Sequence, residues 1–298
     1  LLQLVADRLD HHGLRLVSWT IGAHNTRLGL LHPECTQHNA YGDVLPHALS
    51  IGHDATRDYL KAVCRDLAVN YPMYGLQLEG FDWMSACHGH HHERDLAELT
   101  GFEQELLSIC FNPETIRKAE SVGIDANRAR EIIQKTLEAA FQSAPDRPAN
   151  HPQSMSELED RSADLRNYNR FLKQLAESLI YEIKNESLKG TDCQLHLQTG
   201  YDPRLADVCE GFAVGAYGQK PEQVLSSVEN ERRLFPSESD KQLHCYLRLG
   251  RGIPENSVQL RDIIQALKQG GATGAILYNY SEAPQRMLDW IRPALKGA

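Results

Sequence analysis

The chain has 298 residues, of which 41% are hydrophobic and 24% are charged, and its formal net charge is −9 at pH 7. This balance is typical of a globular protein and excludes disorder over most of the length. The acidic charge, without a basic tract, excludes a protein that binds the phosphate backbone of nucleic acid. No apolar run approaches the roughly 20 residues of a membrane span, so no membrane partner is expected. Seven cysteines without a disulfide-like spacing favour a reduced, cytoplasmic setting.

The first third of the chain predicts two helices and two strands. An amphipathic helix begins the chain and ends near Gly13, which has the position of a helix-terminating glycine. A buried strand follows at 15–21. Asp54 is predicted to cap a helix, because apolar residues recur after it at helical spacing, and Tyr71 and Pro72 end that helix. The second strand is predicted at 74–79.

A polar and mostly helical insertion is predicted over 85–188. It has helical patterns near 94–109 and 113–145, a loop rich in proline, and a long helix with one apolar face from Tyr168 to Ile183. Its position after the second strand suggests that it forms a wall beside a cleft or a contact in a homo-oligomer, and oligomeric state stays open.

Strands and helices alternate faster after the insertion. Strands are predicted at 193–199, 211–217, 242–249 and 273–280, with helices between them and after Pro284. Short connections in this order predict parallel strands with right-handed crossovers. We therefore expect a (β/α)₈ TIM barrel as a single domain over 1–298, with eight strands if one or two β/α units precede Leu1. An open doubly wound sheet is the alternative, but no glycine-rich phosphate loop follows any strand.

Carboxylates stand where barrel chemistry collects, at the carboxyl ends of the strands. Glu79 ends an apolar strand and precedes Gly80, so we predict it to be a catalytic nucleophile or general acid. Asp82 and Glu282 are the further catalytic candidates, because hydrolysis of a glycosidic bond uses two carboxyl groups. The alternative roles are a loop cap for Asp82 and a favourable charge at a helix N-terminus for Glu282.

Polar and aromatic residues near the same strand ends are candidates for binding a sugar ring. The predicted substrate-binding set is Trp19, His24, Asn25, Arg27, Trp83, His88, His90, Tyr217, Arg248, Tyr278 and Asn279. Packing is the alternative role for the aromatic residues, and loop hydrogen bonding is the alternative for the polar ones. Arg248 ends an apolar strand and is predicted to orient a carboxylate such as Glu79, since an unpaired charge there is costly.

The segment His88-Gly89-His90-His91-His92-Glu93 offers a second kind of site. Alternating histidines can converge on one metal ion, so His88, His90 and His92 are an alternative metal-ligand set for a divalent cation. The segment does not contain the HExxH pattern of zinc proteases. Otherwise no cofactor is expected, and contact with substrate or a solvated loop are the competing interpretations.

The segment from Tyr71 to Glu79 resembles a strand of glycoside-hydrolase-like TIM barrels distantly related to the α-amylase superfamily. Tyr278-Asn279-Tyr280 resembles the last strand of those barrels. The chain is also similar to bacterial barrels that have a HGHHHE-like segment after the strand corresponding to the one that ends at Glu79. The resemblance implies that Glu79 takes the place of the catalytic carboxylate at the strand end. Glutamate replaces the usual aspartate there, and the strand that ends at Thr199-Gly200 has no glutamate for a general acid.

The sequence therefore predicts a glycoside hydrolase with Glu79 at its centre, a carbohydrate as its substrate, and Glu282, Asp82 or Asp202 as the second carboxylate. Two alternatives stay open. One is a metal-dependent hydrolase or sugar isomerase that uses the histidine segment, and the other is a carbohydrate-binding barrel without catalysis.

Overall fold

The computed structural model describes residues 2–88, 99–144, 146–198, 202–235, 240–250, 252 and 254–297. The strands are β1 (Leu16–Ile21), β2 (Thr36–His38), β3 (Val44–Leu49), β4 (Met73–Glu79), β5 (Gln194–Gln198), β6 (Gly211–Gly215), β7 (Gln242–Arg248) and β8 (Gly274–Tyr278). The helices are α1 (Leu2–Asp10), α2 (Thr26–Leu31), α3 (Asp54–Asn70), α4 (Gly101–Ser108), α5 (Pro113–Ser121), α6 (Ala126–Ser143), α7 (Met155–Arg161), α8 (Ala163–Glu182), α9 (Pro221–Arg232), α10 (Ser257–Gln269) and α11 (Gln285–Lys296).

Six strands form a parallel sheet in the order β1-β4-β5-β6-β7-β8, and this sheet curls into a half-barrel. All six were predicted from the sequence, but β1, predicted as a buried strand, leaves Val17, Trp19 and Ile21 exposed. Within the described residues the sheet ends at β1 and β8 and forms a partial barrel, which agrees with the six strands predicted here, while the complete eight-stranded barrel stays a prediction. None of the helices in the described part of the chain combines the length and apolarity needed to span a bilayer.

The chain divides into two compact units. The first unit consists of Leu1–Trp19, Met73–Leu78 and Asp192–Ala298, and the second consists of Thr20–Pro72 and Glu79–Thr191. The first unit therefore contains nearly the whole parallel sheet and helices α1 and α9 to α11. The second contains α2 to α8 and the antiparallel pair β2–β3, and the predicted insertion at 85–188 lies inside it.

Alternation along the strands gives the parallel sheet two different faces. The register pairs Leu76 with Leu195 and Phe212 with Leu243, and these leucines and the phenylalanine are buried. Successive side chains point to opposite faces of a strand. The other face therefore carries the intervening residues, which include glutamine, histidine and glycine, and we call it the polar face.

The second unit has a helical core. Apolar residues on α4, α6, α7 and α8 pack together around the fully buried ring of Tyr168, which stacks on Phe111 at 5.0 Å between centroids. The Tyr168 hydroxyl donates to the carbonyl of Cys110 at 2.6 Å, so its one polar atom is satisfied.

The second unit also contains a buried ion pair between Glu103 and Arg147. The side chain of Glu103 is 0% exposed, and it accepts hydrogen bonds from Arg147 Nε at 2.5 Å and Arg147 Nη2 at 2.8 Å. Thr100 and Glu103 also form a capping box at the start of α4, since each side chain bonds the backbone N–H of the other.

The structure corrects several details of the predicted second unit. The helix predicted at 113–145 is broken into α5 and α6, because Gly123 adopts a φ of +79° in the turn between them. Asp54 was predicted as the N-terminal cap of α3 but is the first residue of that helix, and His53 occupies the cap position. The β2–β3 hairpin and α2 were not predicted, and the part of the helix predicted at 94–98 lies outside the described residues.

Candidate functional site

Two backbone hydrogen bonds hold the chain at Glu79 and Gly80. In the second unit, the N–H of Gly22 donates to the Glu79 carbonyl at 2.9 Å, and the N–H of Ala23 donates to the Gly80 carbonyl at 2.7 Å. Gly80 has a φ of +65°, in the left-handed region that glycine adopts without strain. The chain therefore makes a defined turn immediately after Glu79, which ends β4.

Phe81 anchors the next step of this turn. Its side chain is fully buried, and a Cβ atom on Gly22 would lie 2.6 Å from its ring. Only a glycine at position 22 allows the ring to approach so closely. The buried Phe81 ring thus anchors the backbone of the turn between Glu79 and Asp82.

Asp82 is half-buried directly after this anchor. The pKa of Asp82 is raised to about 6, because burial and, to a smaller extent, the negative charge of Glu79 outweigh a backbone hydrogen bond that lowers it. Asp82 therefore keeps its proton to a higher pH than an ordinary aspartic acid. Environments that hold one carboxyl group protonated beside a second carboxyl group are typical of acid–base sites.

Three histidine rings lie close together in the second unit. The ring of His24 is 4.5 Å from the ring of His88 and 6.2 Å from the ring of His47, in both cases nearly edge-on. Partial burial lowers the pKa of His24, and protonated His88 and His47 lower it further, whereas Glu79 raises it. His24 therefore shares the electrostatic environment of Glu79.

Hydrogen bonds hold the segment that connects Asp82 with His88. The amide of Gln37 donates to the Met84 carbonyl at 2.9 Å and accepts from the Met84 N–H at 2.8 Å. His47 Nε2 lies 3.0 Å from the carbonyl of Ser85 and donates to it. The loop after Asp82 is therefore bonded to the β2–β3 hairpin.

Of the three predicted metal ligands, the structure describes only His88. His90 and His92 lie outside the described residues, and His88 is exposed beside His24. In the ranges that the structure describes, no group of three or more histidine, cysteine, aspartate or glutamate side chains is arranged to hold a metal ion.

Two of the predicted binding residues in the second unit, Asn25 and Trp83, have structural contacts. The side chain of Asn25 accepts from the N–H of Leu28 and caps α2, and its amide donates to the Tyr59 hydroxyl at 3.3 Å. Trp83 packs against the helical core, and its Nε1 donates to the carbonyl of Leu172 at 2.9 Å. These contacts agree with the structural alternatives for Asn25 and Trp83, while Arg27 is exposed on α2.

Four aromatic residues of the first unit form a cluster at the carboxyl ends of its strands. Trp19 lies 5.0 Å from Tyr246 and 5.2 Å from Tyr278, and Tyr217 lies 5.9 Å from Tyr278, between ring centroids. Tyr217 is 46% exposed, so the cluster has an open surface. The structure thus brings together three of the predicted aromatic residues, and Tyr246 joins them.

Arg248, Asn279 and Glu282 also lie in the first unit. Arg248 is exposed at the end of β7, in register with Tyr278. The Asn279 side chain accepts from the N–H of Glu282 at 2.9 Å and from the Ser281 hydroxyl at 2.8 Å, which organises the turn after β8. Glu282 is exposed on that turn, and its pairing with Glu79 stays a prediction.

Asp202 has a structural partner. Its carboxylate accepts from the N–H and the guanidinium of Arg204, both at 2.9 Å, and caps a short 3₁₀ turn. This arrangement uses the carboxylate oxygens of Asp202 in local structure, as a turn cap and an ion pair.

Some residues of interest carry little sequence signal. His47 lies in the unpredicted strand β3, and only the folded hairpin brings it near His24. Gln77 is buried in the middle of β4 between Leu76 and Leu78. The sequence signal for a functional role of Gln77 is its polar side chain inside an otherwise apolar strand.

The chain matches no protein-family model and no curated protein. Among solved structures it is similar to alpha-L-fucosidase isoenzyme 2 from Paenibacillus thiaminolyticus, with a TM-score of 0.61 and 9% sequence identity. The similarity covers 99% of this chain and 39% of the fucosidase chain. At this identity the similarity is one of fold, and it indicates a distant glycoside-hydrolase-like fold.

Proposed function

We propose that the protein is a glycoside hydrolase in which Glu79 and Asp82 are the catalytic carboxyl groups. The observation that carries the proposal is their arrangement on one rigid turn, with Glu79 at the strand end and half-buried Asp82 three residues later. The glycoside-hydrolase-like fold supports the same reaction class.

The two carboxyl groups have different roles in this proposal. Asp82, whose pKa is about 6, donates its proton to the glycosidic oxygen as the bond to the anomeric carbon breaks. Ionised Glu79 either attacks the anomeric carbon directly or removes a proton from an attacking water molecule. In the first route, water deprotonated by Asp82 then displaces Glu79 from the glycosyl-enzyme, so two inversions retain the anomeric configuration. The second route is a single displacement that inverts it, so the configuration of the product distinguishes the two.

His24 is a positioning residue in this scheme. Its edge-on contacts with His88 and His47 fix its ring, and it is attracted electrostatically to Glu79. In this scheme the His24 ring, whose pKa is lowered, hydrogen-bonds the substrate.

The test is hydrolysis of a panel of aryl glycosides that includes an α-L-fucoside, because the structural neighbour is named as a fucosidase. We expect Glu79→Gln and Asp82→Asn each to reduce turnover by about 10²–10⁴-fold. Asp58→Asn and Glu131→Gln are the matched controls, since both carboxylates are exposed in the second unit. These controls should retain the wild-type rate.

The leaving group separates the two roles. A dinitrophenyl glycoside needs little protonation to depart, so Asp82→Asn should lose little activity on it while Glu79→Gln stays inactive. Loss of wild-type turnover in EDTA would contradict the proposal and favour the histidine segment. Sugar binding without turnover in any variant would favour a binding protein.

A further inference from the structure

A cavity of about 290 Å³ opens on the polar face of the parallel sheet, entirely within the first unit. Its volume is close to the lower end of the range for small-molecule sites. The residues that line it come from five strands: Val17, Trp19, Tyr74, Gln77, His196, Gln242, His244, Tyr246 and Ile276. Neither Glu79 nor Asp82 belongs to this set, so the cavity is distinct from the proposed catalytic turn.

The floor of the cavity is formed by two imidazole rings. His196 and His244 stack at 5.4 Å between centroids, with 15° between their planes. A Cβ atom on Gly211 would lie 2.7 Å from His196 Nδ1, and one on Gly274 would lie 2.9 Å from His244 Cδ2. Glycine on the neighbouring strands therefore lets both rings lie flat against the sheet and leaves the space above them open.

A hydrogen-bond network fixes one side of this floor. His196 Nε2 lies 3.1 Å from Gln194 Oε1 and donates to it, and Gln242 Nε2 donates to the same oxygen at 3.4 Å. These bonds orient the His196 ring and use the acceptor capacity of Gln194.

Gln77 carries a buried polar group of the cavity whose hydrogen bonding is incomplete. It is 4% exposed, it lines the cavity, and its buried Nε2 has no hydrogen-bond partner among the residues that the structure describes. A buried donor without an acceptor is costly, and such groups in native proteins call for a partner. A ligand oxygen in the cavity would supply that acceptor.

The lining carries no carboxylate, ammonium or guanidinium group. Burial lowers the pKa of His244, so this ring is neutral at pH 7. The guanidinium of Arg15 is stacked on Tyr74, 4.3 Å from the ring centroid, and is not a lining group. A charged ligand would therefore enter without a counter-charge, which makes its binding unfavourable.

Trp19 and Tyr246 supply an aromatic wall, with 5.0 Å between their ring centroids. Aromatic side chains favour planar or ring-shaped apolar surfaces as partners. We propose that this cavity binds an uncharged ring compound, held against Trp19 and Tyr246 and hydrogen-bonded through a carbonyl or hydroxyl oxygen to Gln77 Nε2.

Three probes of matched shape test the proposal on the full chain by calorimetry or ligand-observed NMR. Benzamide is a neutral ring with an acceptor, benzoate adds a charge, and toluene lacks the acceptor. We expect benzamide to bind at least about tenfold more tightly than benzoate or toluene. Equal affinity for benzamide and benzoate would overturn the proposal.

Variants locate the binding. Gln77→Met keeps the side-chain length, removes the donor, and should weaken benzamide binding by about tenfold with little change for toluene. Gln198→Met is the matched control, since Gln198 lies on β5 and does not line the cavity. Ile276→Phe should fill the cavity and abolish binding of both probes, and full benzamide affinity in this folded variant would contradict the assignment.

Discussion

The imidazole rings of His24 and His88 meet edge to face, at 83° and with 4.5 Å between their centroids. Two rings this close cannot both take up a proton without mutual repulsion, and the charge of His88 is one cause of the lowered pKa of His24. The contact therefore makes the protonation of His24, which the charge of Glu79 also affects, depend on the loop that contains His88.

This dependence can be measured directly. Replacing His88 with Gln removes the positive charge, so the pKa of His24 should rise toward its usual value. NMR titration of the His24 ring would follow the change. Replacing the exposed His32, which pairs with Glu34 elsewhere in the unit, should leave the His24 pKa unchanged. A His24 pKa that does not move in His88→Gln would contradict the coupling.

Asp82 should set the alkaline limb of the pH–rate profile. The proposed acid is active when protonated, so kcat/KM is expected to fall as the pH rises through about 6. Asp82→Asn should remove this limb from the residual activity. A profile that is flat between pH 5 and 8 (roughly the range over which a group of this kind titrates) would argue against Asp82 as the acid.

The same group should affect stability with a defined sign. The pKa of Asp82 is raised in the folded state, so its contribution is favourable at low pH and is lost as the pH rises through about 6. Asp82→Asn should therefore raise the melting temperature at pH 8 relative to the wild type and change it little at pH 4. Thermal unfolding at the two pH values tests the sign, and stabilisation confined to pH 4 would contradict it.

Gly29 should be intolerant of any side chain. A Cβ atom there would lie 2.0 Å from the carbonyl oxygen of Pro46, a backbone atom that cannot rotate away. We expect Gly29→Ala to cost about 3 kcal/mol or more in the free energy of unfolding. Gly101→Ala, which meets nothing within 4 Å, is the control and should be nearly neutral in the same urea titration.

Arg147 compensates the buried charge of Glu103. Burial alone would raise the pKa of Glu103, but the hydrogen bonds from Arg147 and Thr100 lower it below its usual value. Arg147→Met would leave the carboxylate buried without its guanidinium partner, with the Thr100 N–H at 2.8 Å and His151 Nε2 at 3.5 Å still beside it, which should cost about 3 kcal/mol. The double variant with Glu103→Gln should recover part of this loss, and urea unfolding of all three proteins would show whether it does.

The strands of the parallel sheet were predictable because each is a short segment, bounded by turn residues, in which apolar residues are consecutive or alternate with polar ones. The β2–β3 hairpin was not predictable in this way. Thr36–His38 is short and polar, and Pro46 interrupts Val44–Leu49. The two strands are stabilised by pairing with each other, by packing against α2 and by hydrogen bonds to the loop after Asp82, all of which depend on the folded chain.

The residues of the candidate site also differ in how far the sequence alone could predict them. Glu79 and Asp82 were predictable from their position at a strand end, where the backbone geometry is local. The contribution of His47 and the unsatisfied donor of Gln77 depend on residues distant in sequence. Asn25 illustrates the opposite case, because a polar residue after a strand is equally suited to cap a helix, and its side chain does so.

The division of the chain into two units has a consequence for synthesis and for attempts to dissect the protein. The first unit is assembled from three separate chain segments, and the last of these begins only at Asp192. The segments of the second unit, which end at Thr191, therefore emerge from the ribosome before β5 to β8 exist. Strand β1 can pair with β4 early, but the other neighbour of β4, which is β5, is translated only after the second unit. No single cut in the chain can release either unit whole.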